Sequence, residues 1–247
     1  MNLLAGVKMN KVRRAIIMAA GIGKRMQPVT FDTPKPLIMV NGKRMIDTVI
    51  DALEKNGITE IYVVVGYLKE QFYEWVKEHN NITLVENPFY DTCNNISSLY
   101  AARKYLDDVI ILDGDQIIYN EKILAPEFTF SGYNAIEINS QSDEWIMQVD
   151  ENRIVTSCSR TGGSKGWQLF SVSRWNKEDG QKLQKFLELE FDVNQNRQIY
   201  WDDVAMFCHF EDFKLGIYPM KKTDIVEIDN FDELVGLDKS YENYRKN

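Results

Sequence analysis

Cysteine and histidine are scarce in this chain of 247 residues: three of the first (Cys93, Cys158, Cys208) and two of the second (His79, His209). An odd number of cysteines without CxxC spacing argues against a disulfide framework or a Cys-rich zinc site, and reduced thiols suit a cytoplasmic protein. His79 falls at a polar helix end and His209 in an apolar run, so both read as structural. Ser-His-Asp and HExxH chemistries then have almost nothing to build on. Long apolar runs are missing too: none approaches the ~18 uncharged residues of a membrane span, so no membrane insertion is expected. The opening Met1-Asn2-Leu3-Leu4-Ala5-Gly6 is too short for the apolar part of a signal peptide, and its basic residues come afterwards. Residues 1–12 therefore read as an N-terminal extension, the first eight of them dispensable, with Met9 an alternative start. A cytoplasmic location is the default expectation. Positive charge is also in deficit: 29 Lys and Arg against 37 Asp and Glu give a net charge of −8. Such a surface repels nucleic acid and anionic membrane.

What is present is a patterned α/β sequence with 44% hydrophobic residues, enough for one large core. Arg14-Ala15-Ile16-Ile17-Met18-Ala19 reads as a buried first strand running into Gly21. A helical pattern over 45–53 stops at Lys55-Asn56-Gly57. Strands follow at 61–65, 82–85 and 109–112, with helices at 68–78 and 96–106 between them. Continuously apolar strands alternating with helices predict a doubly wound, mostly parallel sheet covered on both faces, with ligands at the carboxyl ends of its strands. Beyond residue 130 the pattern changes to short strands at 135–138, 145–149, 153–155 and 167–172, helices at 175–191 and near 202–212, and a late strand at 224–228. This half, about 131–247, reads as sheet extension plus substrate lobe, continuous with the half over about 13–130 in one domain spanning 13–247.

The chemistry concentrates in two places. Ala19-Ala20-Gly21-Ile22-Gly23-Lys24-Arg25-Met26 is followed by Thr33-Pro34-Lys35-Pro36-Leu37. Glycines let a backbone close around phosphates with its amides turned to the anion. Arg25 can neutralise phosphate as a planar fork and Lys35 as a point charge, the latter stiffened by its two prolines. A dinucleotide loop would need a glycine where Met26 stands and an acidic residue after the second strand, where Val65-Gly66-Tyr67 stands instead. A Walker loop would need Ser or Thr where Arg25 stands. The second place is Leu112-Asp113-Gly114-Asp115, two aspartates after a buried strand. Aspartate suits a turn or helix cap as well as a hard cation, but opposite a phosphate loop the cation is the better reading. A further carboxylate is expected from elsewhere, with Asp229 the best candidate, although it too could cap the helix beginning near Phe231.

These pieces together resemble the sugar-phosphate and choline-phosphate nucleotidyltransferase superfamily, through AAGxGxRM, the TPKPL-like segment and the aspartate after the fourth strand. The resemblance implies an inserted substrate-binding region beside a nucleotide-binding half, with Ala19, Ala20, Gly21, Gly23, Lys24 and Arg25 cradling the nucleotide, joined by Asn94 and Ser97. It implies catalytic roles for Lys35, Arg25 and Asp115, and Mg2+ held by Asp115 and Asp229. Within the superfamily the chain is most similar to bacterial choline-phosphate cytidylyltransferases, in residues 65–72, 94–100, 144–145, 200–202 and 226–229. Ser157-Cys158-Ser159-Arg160 stands where sugar enzymes usually carry Glu-Lys-Pro, whereas Gln116 departs from the Asn that choline enzymes favour after the second aspartate. The implied reaction is CTP plus phosphocholine giving CDP-choline and pyrophosphate. Trp145, Trp201 and Tyr200 would wall the choline, and Asp202 or Asp203 would add negative charge. The same chemistry on 2-aminoethylphosphonate, phosphoethanolamine or a sugar 1-phosphate is the nearest rival. A silent nucleotide-binding regulator is the rival of another class, and a homo-oligomer is left open.

Overall fold

The computed structural model describes residues 8–246. Four parallel strands form the centre of a nine-stranded sheet: β1 (Arg14–Ala19), β2 (Glu60–Val65), β3 (Ile82–Glu86) and β4 (Val109–Asp113), in the spatial order β4-β1-β2-β3. Their near-continuous apolar runs follow from burial on both faces. Helices α1 (Met45–Lys55) and α2 (Lys69–Trp75) cover one face through Ile46, Val49, Ile50, Leu53, Phe72 and Trp75. The other face is covered by α3 (Ile96–Ala102) and by a later helix, with Ile96, Leu99, Leu183 and Leu187 in that core. Helix α1 ends as expected: Gly57 takes φ +74°, its N–H bonds Glu54 O at 2.8 Å, and Ile58 N–H bonds Leu53 O at 3.0 Å. That pair of bonds is a Schellman stop, with buried Ile58 as its apolar plug.

The remaining strands of this sheet are β5 (Gly132–Ile138), β6 (Ile146–Val149), β7 (Val155–Ser159), β8 (Gly166–Trp175) and β9 (Gly216–Pro219). The ten-residue β8 joins the two halves. Its Val172–Trp175 end pairs antiparallel with β4, while Trp167 and Gln168 pair with β6. β5 runs antiparallel along the other edge of β8 and parallel to β9. Because β4 and β6 share one edge of β8 at different lengths, they part near Leu169–Ser171 and leave a gap at the carboxyl end of β4.

The structure revises several boundaries. The strand expected at 153–155 begins at Val155 and continues through Ser159. The helix expected over 175–191 is α4 (Lys177–Glu188), followed by a wider π turn at Leu189–Val193. The one expected near 202–212 is a turn of α-helix at Trp201–Asp203, a π turn at Val204–Cys208 and a 3-10 turn at Phe210–Asp212. The late strand expected at 224–228 is present as Ile225–Glu227, but its antiparallel partner Gln116–Ile118, strand β9 and two further short ribbons were not foreseen. Residues 10–12, expected in an N-terminal extension, belong to the fold. Asn10–Lys11 pairs with Glu127–Phe128, and Val12 is buried in the core. Most of the expected dispensable segment, residues 1–7, lies outside the described residues. The three cysteines are free. His209 stacks on Phe186 and pairs with Glu190 Oε1 at 2.9 Å, a packing role. Among the described residues no helix is long and apolar enough to cross a membrane.

Helix α4 lies so close to its neighbour that a Cβ on Gly180 would stand 1.7 Å from Leu106 O. A methyl group there must lift the helix from the sheet. Gly180→Ala is therefore expected to cost about 2–3 kcal/mol, read as a fall in the urea midpoint with unchanged slope. An unchanged midpoint would show that the helix yields freely.

Candidate active site

A third, smaller core builds the site. Met26, Val29, Ile38 and Val40 from the loop between β1 and α1 pack with Met45, Ile117, Ile228 and Leu234. This cluster fastens the loop onto the ribbon formed by Gln116–Ile118 and Ile225–Glu227, bringing Lys35, Asp115, Glu227 and Asp229 together. Two glycines make the approach possible. Gly23 is left-handed at φ +66°, and a Cβ there would lie 3.0 Å from Thr30 Cγ2. Thr30 Oγ1 in turn donates to Gly23 O at 2.9 Å. A Cβ on Gly114 would crowd Ile17 and Pro36 at 3.2 Å. Gly21, by contrast, has nothing within 4 Å of that position and faces open space. That space suits an anion approaching backbone amides.

Lys35 is buried between carboxylates. Its Nζ lies 2.5 Å from Asp115 Oδ2 and 3.7 Å from Asp229 Oδ1. Burial works to lower its pKa, but Asp115, and after it Asp229 and Glu227, outweigh that and raise it. Arg25 reaches Asp229 Oδ1 at 2.8 Å from an exposed position. Asp113 and Glu227 are each held well above the usual carboxylate range, first by burial and then by the charge of Asp115 and their other acidic neighbours. One oxygen from each of Asp113, Asp115 and Glu227 lies within 4.8 Å of the others. Asp115 Oδ1 is buried without a partner. An all-oxygen set with an orphaned carboxylate oxygen fits a hard divalent cation. Asp229 stands in the same cleft, but its Oδ1 faces Arg25 and Lys35. The carboxylates grouped with Asp115 are thus Asp113, which was not paired with it in the implied Mg2+ site, and Glu227, which was not foreseen.

Adjoining cavities meet at these carboxylates. The first is lined by Ala19, Gly21, Gly23, Lys24, Arg25 and Lys35. The second adds Ala20, Asn87, Tyr90, Asn94, Asn95, Ser97 and Ser98. Ser97 is buried and engaged: it donates to Asn94 O at 2.8 Å and accepts from Asn87 Nδ2 at 2.9 Å. Asn94 Nδ2 ties the loop to Gln198 O at 3.1 Å. Tyr90 packs so tightly on Gly66 that a Cβ there would sit 2.6 Å from the Tyr90 Cβ. Asn87 and Tyr90 carried no sequence signal. Glu227 did: it stands two residues before Asp229 in an extended segment, so both share one side.

The third cavity, of ≈ 320 Å³, lies where β4 and β6 part, lined by Trp145, Tyr200, Glu144, Asp202, Leu169 and Ser171 among others. Trp145 and Tyr200 meet edge to face, centroids 6.0 Å apart. Trp201 does not join them. It is buried in the core between Tyr133 and Trp175, at centroid distances of 6.1 and 6.3 Å. Asp203 is engaged as well, accepting Arg160 Nε at 2.8 Å and Tyr200 N–H at 2.8 Å. Asp202 is left as the buried acidic group beside the aromatic pair. Burial pushes it up to about 7, opposed by the Tyr133 hydroxyl and reinforced by Asp203.

Comparison with known proteins agrees with this fold. The family model for a MobA-like NTP transferase domain matches residues 15–138. The 2-aminoethylphosphonate cytidylyltransferase of Lancefieldella rimae is 38% identical over 229 residues, covering 92% of each chain. The choline-phosphate cytidylyltransferase of Streptococcus pneumoniae is 29% identical over 230 residues, 93% of this chain and 99% of that one. A solved CTP:phosphocholine cytidylyltransferase from Streptococcus pneumoniae superposes with a TM-score of 0.82 at 27% identity, over 94% of this chain and 100% of the other.

The folded chain retains a proton on Asp202 up to about pH 7, whereas an unfolded aspartate loses it near 3.8. Stability from this group is therefore full below the unfolded value and is lost as pH rises through the folded one. Asp202→Asn should leave stability unchanged near about pH 4 and raise it, by up to about 4 kcal/mol, at about pH 8. Denaturation of the metal-free protein across that range checks this. A gain independent of pH would mean that Asp202 is not held neutral by burial.

Proposed function

The chain belongs to the MobA-like NTP transferase family, and we propose from that premise that it moves a cytidylyl group from CTP onto a small phosphate or phosphonate ending in an ammonium group. The observation that carries this is the cavity between β4 and β6, with two aromatic faces and the carboxylates Glu144 and Asp202. 2-Aminoethylphosphonate is the first-ranked acceptor. A primary ammonium can donate to Asp202, and the relative named for that substrate shares 38% identity. Phosphocholine, the acceptor expected from sequence, ranks second. A trimethylammonium has no N–H to donate and relies on aromatic faces, of which Trp145 and Tyr200 supply two.

In this reading Gly21, Gly23 and Lys24 cradle the triphosphate, while Arg25 and Lys35 offset charge on the pyrophosphate that leaves. An acceptor oxygen attacks the α-phosphorus in line as the bond to the bridging oxygen breaks and pyrophosphate departs with the electron pair. Already ionised, that oxygen needs no general base. Catalysis is positioning and electrostatics, without a covalent intermediate. Asp115, with Asp113, Glu227 or Asp229, would hold Mg2+, which when bound supplies positive charge to the triphosphate. The retained Lys35, Arg25, Asp115 and Asp229 speak against a silent regulator.

Pyrophosphate release over four nucleoside triphosphates, with 2-aminoethylphosphonate, phosphocholine, phosphoethanolamine and a sugar 1-phosphate, tests the reading. CTP with 2-aminoethylphosphonate should exceed CTP with phosphocholine by about tenfold or more in kcat/KM, the worth of one good hydrogen bond to a charged group. A phosphocholine preference would move the weight to the aromatic pair, and no turnover at all would leave the regulator. Trp145→Ala should raise the acceptor KM and leave that of CTP nearly unchanged.

Asp115→Asn should keep the fold and cut turnover by on the order of 100-fold. Lys35→Ala should lose roughly 1.5–3 kcal/mol of transition-state stabilisation. Wild-type rates from the Asp115 variant at limiting magnesium would reduce that residue to a turn former.

A further inference from the structure

We infer that Asn95 is a catalytic residue: a neutral donor whose Nδ2 holds the anionic oxygen of the acceptor against the α-phosphorus. Asn95 lies where the second and third cavities meet and lines both. The other residues shared by the two are Arg25, Asp113, Glu227 and Asp229. Three of these are carboxyl groups, which offer no N–H to an incoming phosphate or phosphonate, and the cation Arg25 is turned to Asp229 at 2.8 Å. An acceptor oxygen that must come to rest here needs a donor that adds no negative charge.

The orientation of the Asn95 amide follows from its one side-chain bond. Trp201 N–H, which can only donate, points at Asn95 Oδ1 at 2.9 Å. The oxygen is therefore committed, and Nδ2 is left without a hydrogen-bond partner among the described residues. The backbone beneath is fixed as well. Asn95 N–H donates to Asn94 Oδ1 at 2.7 Å, and its carbonyl accepts Ser98 N–H at 2.9 Å at the start of α3. A donor on so rigid a mount requires little reorganisation at the moment of reaction. The arrangement also gives buried Trp201 a purpose outside the aromatic wall, since its backbone aims the amide while its ring fills the core.

This inference rests on the cytidylyl-transfer reading and names the group that serves the attacking atom. The acceptor oxygen forms its bond to the α-phosphorus, the bridging bond breaks, and pyrophosphate takes the electron pair. Asn95 keeps both protons throughout.

Two variants separate a donor from an anchor. Asn95→Asp retains an oxygen for Trp201 N–H but removes the donor, and Asn95→Leu removes both without adding charge. With whichever acceptor the wild type uses, both should lose about 100-fold in kcat. Asn95→Asp should melt at the wild-type temperature, and both should bind CTP with wild-type affinity by calorimetry. An active Asn95→Asp beside a failing Asn95→Leu would show only an anchor. Loss in Asn95→Asp alone would show only charge repulsion, and weakened CTP binding in both would show a nucleotide residue. Each of these overturns the inference while leaving the function reading intact. A wild type that releases no pyrophosphate with any pair of substrates would overturn both.

Discussion

Four carboxylates and one lysine in a single cleft are the constraint around which this molecule is arranged. At a separation of 4.8 Å, the spread of the Asp113, Asp115 and Glu227 oxygens, two like charges repel by roughly 3 kcal/mol even in the screened interior of a protein. The structure answers in two ways. Lys35 is buried against Asp115 and within reach of Asp229, and burial with the neighbouring charges holds Asp113 and Glu227 well above the usual carboxylate range. Neither answer removes the orphaned Asp115 Oδ1. A cluster of this kind would be preorganised for a divalent cation, because the repulsion among its carboxylates is already part of the folded state.

Holding such a cluster together needs packing that does not depend on charge, and the third core provides it. Met26, Ile38 and Ile228 fasten two distant parts of the chain beneath the lysine. The glycines at 23 and 114 allow that closeness, each at a point where a side chain would strike a neighbour. The net charge of −8 makes the cations of the loop more telling. Lys24, Arg25 and Lys35 gather at one end of the cleft, so its electrostatics are local and polar even though the surface as a whole is acidic.

The parallel sheet was legible because its strands are long, apolar and separated by amphipathic helices, and the loop after β1 because glycines and flanked cations have few other uses. The ribbons were not, since two or three residues such as Gln116–Ile118 carry no readable period. The cavity between β4 and β6 was half legible. Trp145, Tyr200 and Asp202 reach it, but Trp201 stands between two of these in sequence and goes to the core. Successive residues of a helical turn point about 100° apart, so adjacency to a cavity residue says little about a side chain's own direction. Glu227 was missed for the converse reason. Inside a short apolar strand it reads as an outward-facing residue, whereas its outward face is the cleft.

The edge of β8 explains how these parts remain separable. Its Val172–Trp175 end belongs to the parallel sheet and to the carboxylates at the end of β4, while its Trp167–Gln168 end belongs to β6 beside the third cavity. Only a few residues cross the boundary between them. Ser171 lies on the strand, and the 94–95 turn meets the 197–201 segment through its bonds to Arg197, Gln198 and Trp201. Substitutions at Trp145, Tyr200 or Asp202 can therefore reshape the aromatic end of the third cavity without moving the carboxylate cluster or the glycine loop. The two ends of one strand thus border two different cavities, the carboxylate cluster at the doubly covered half of the sheet and the aromatic pair at its antiparallel edge.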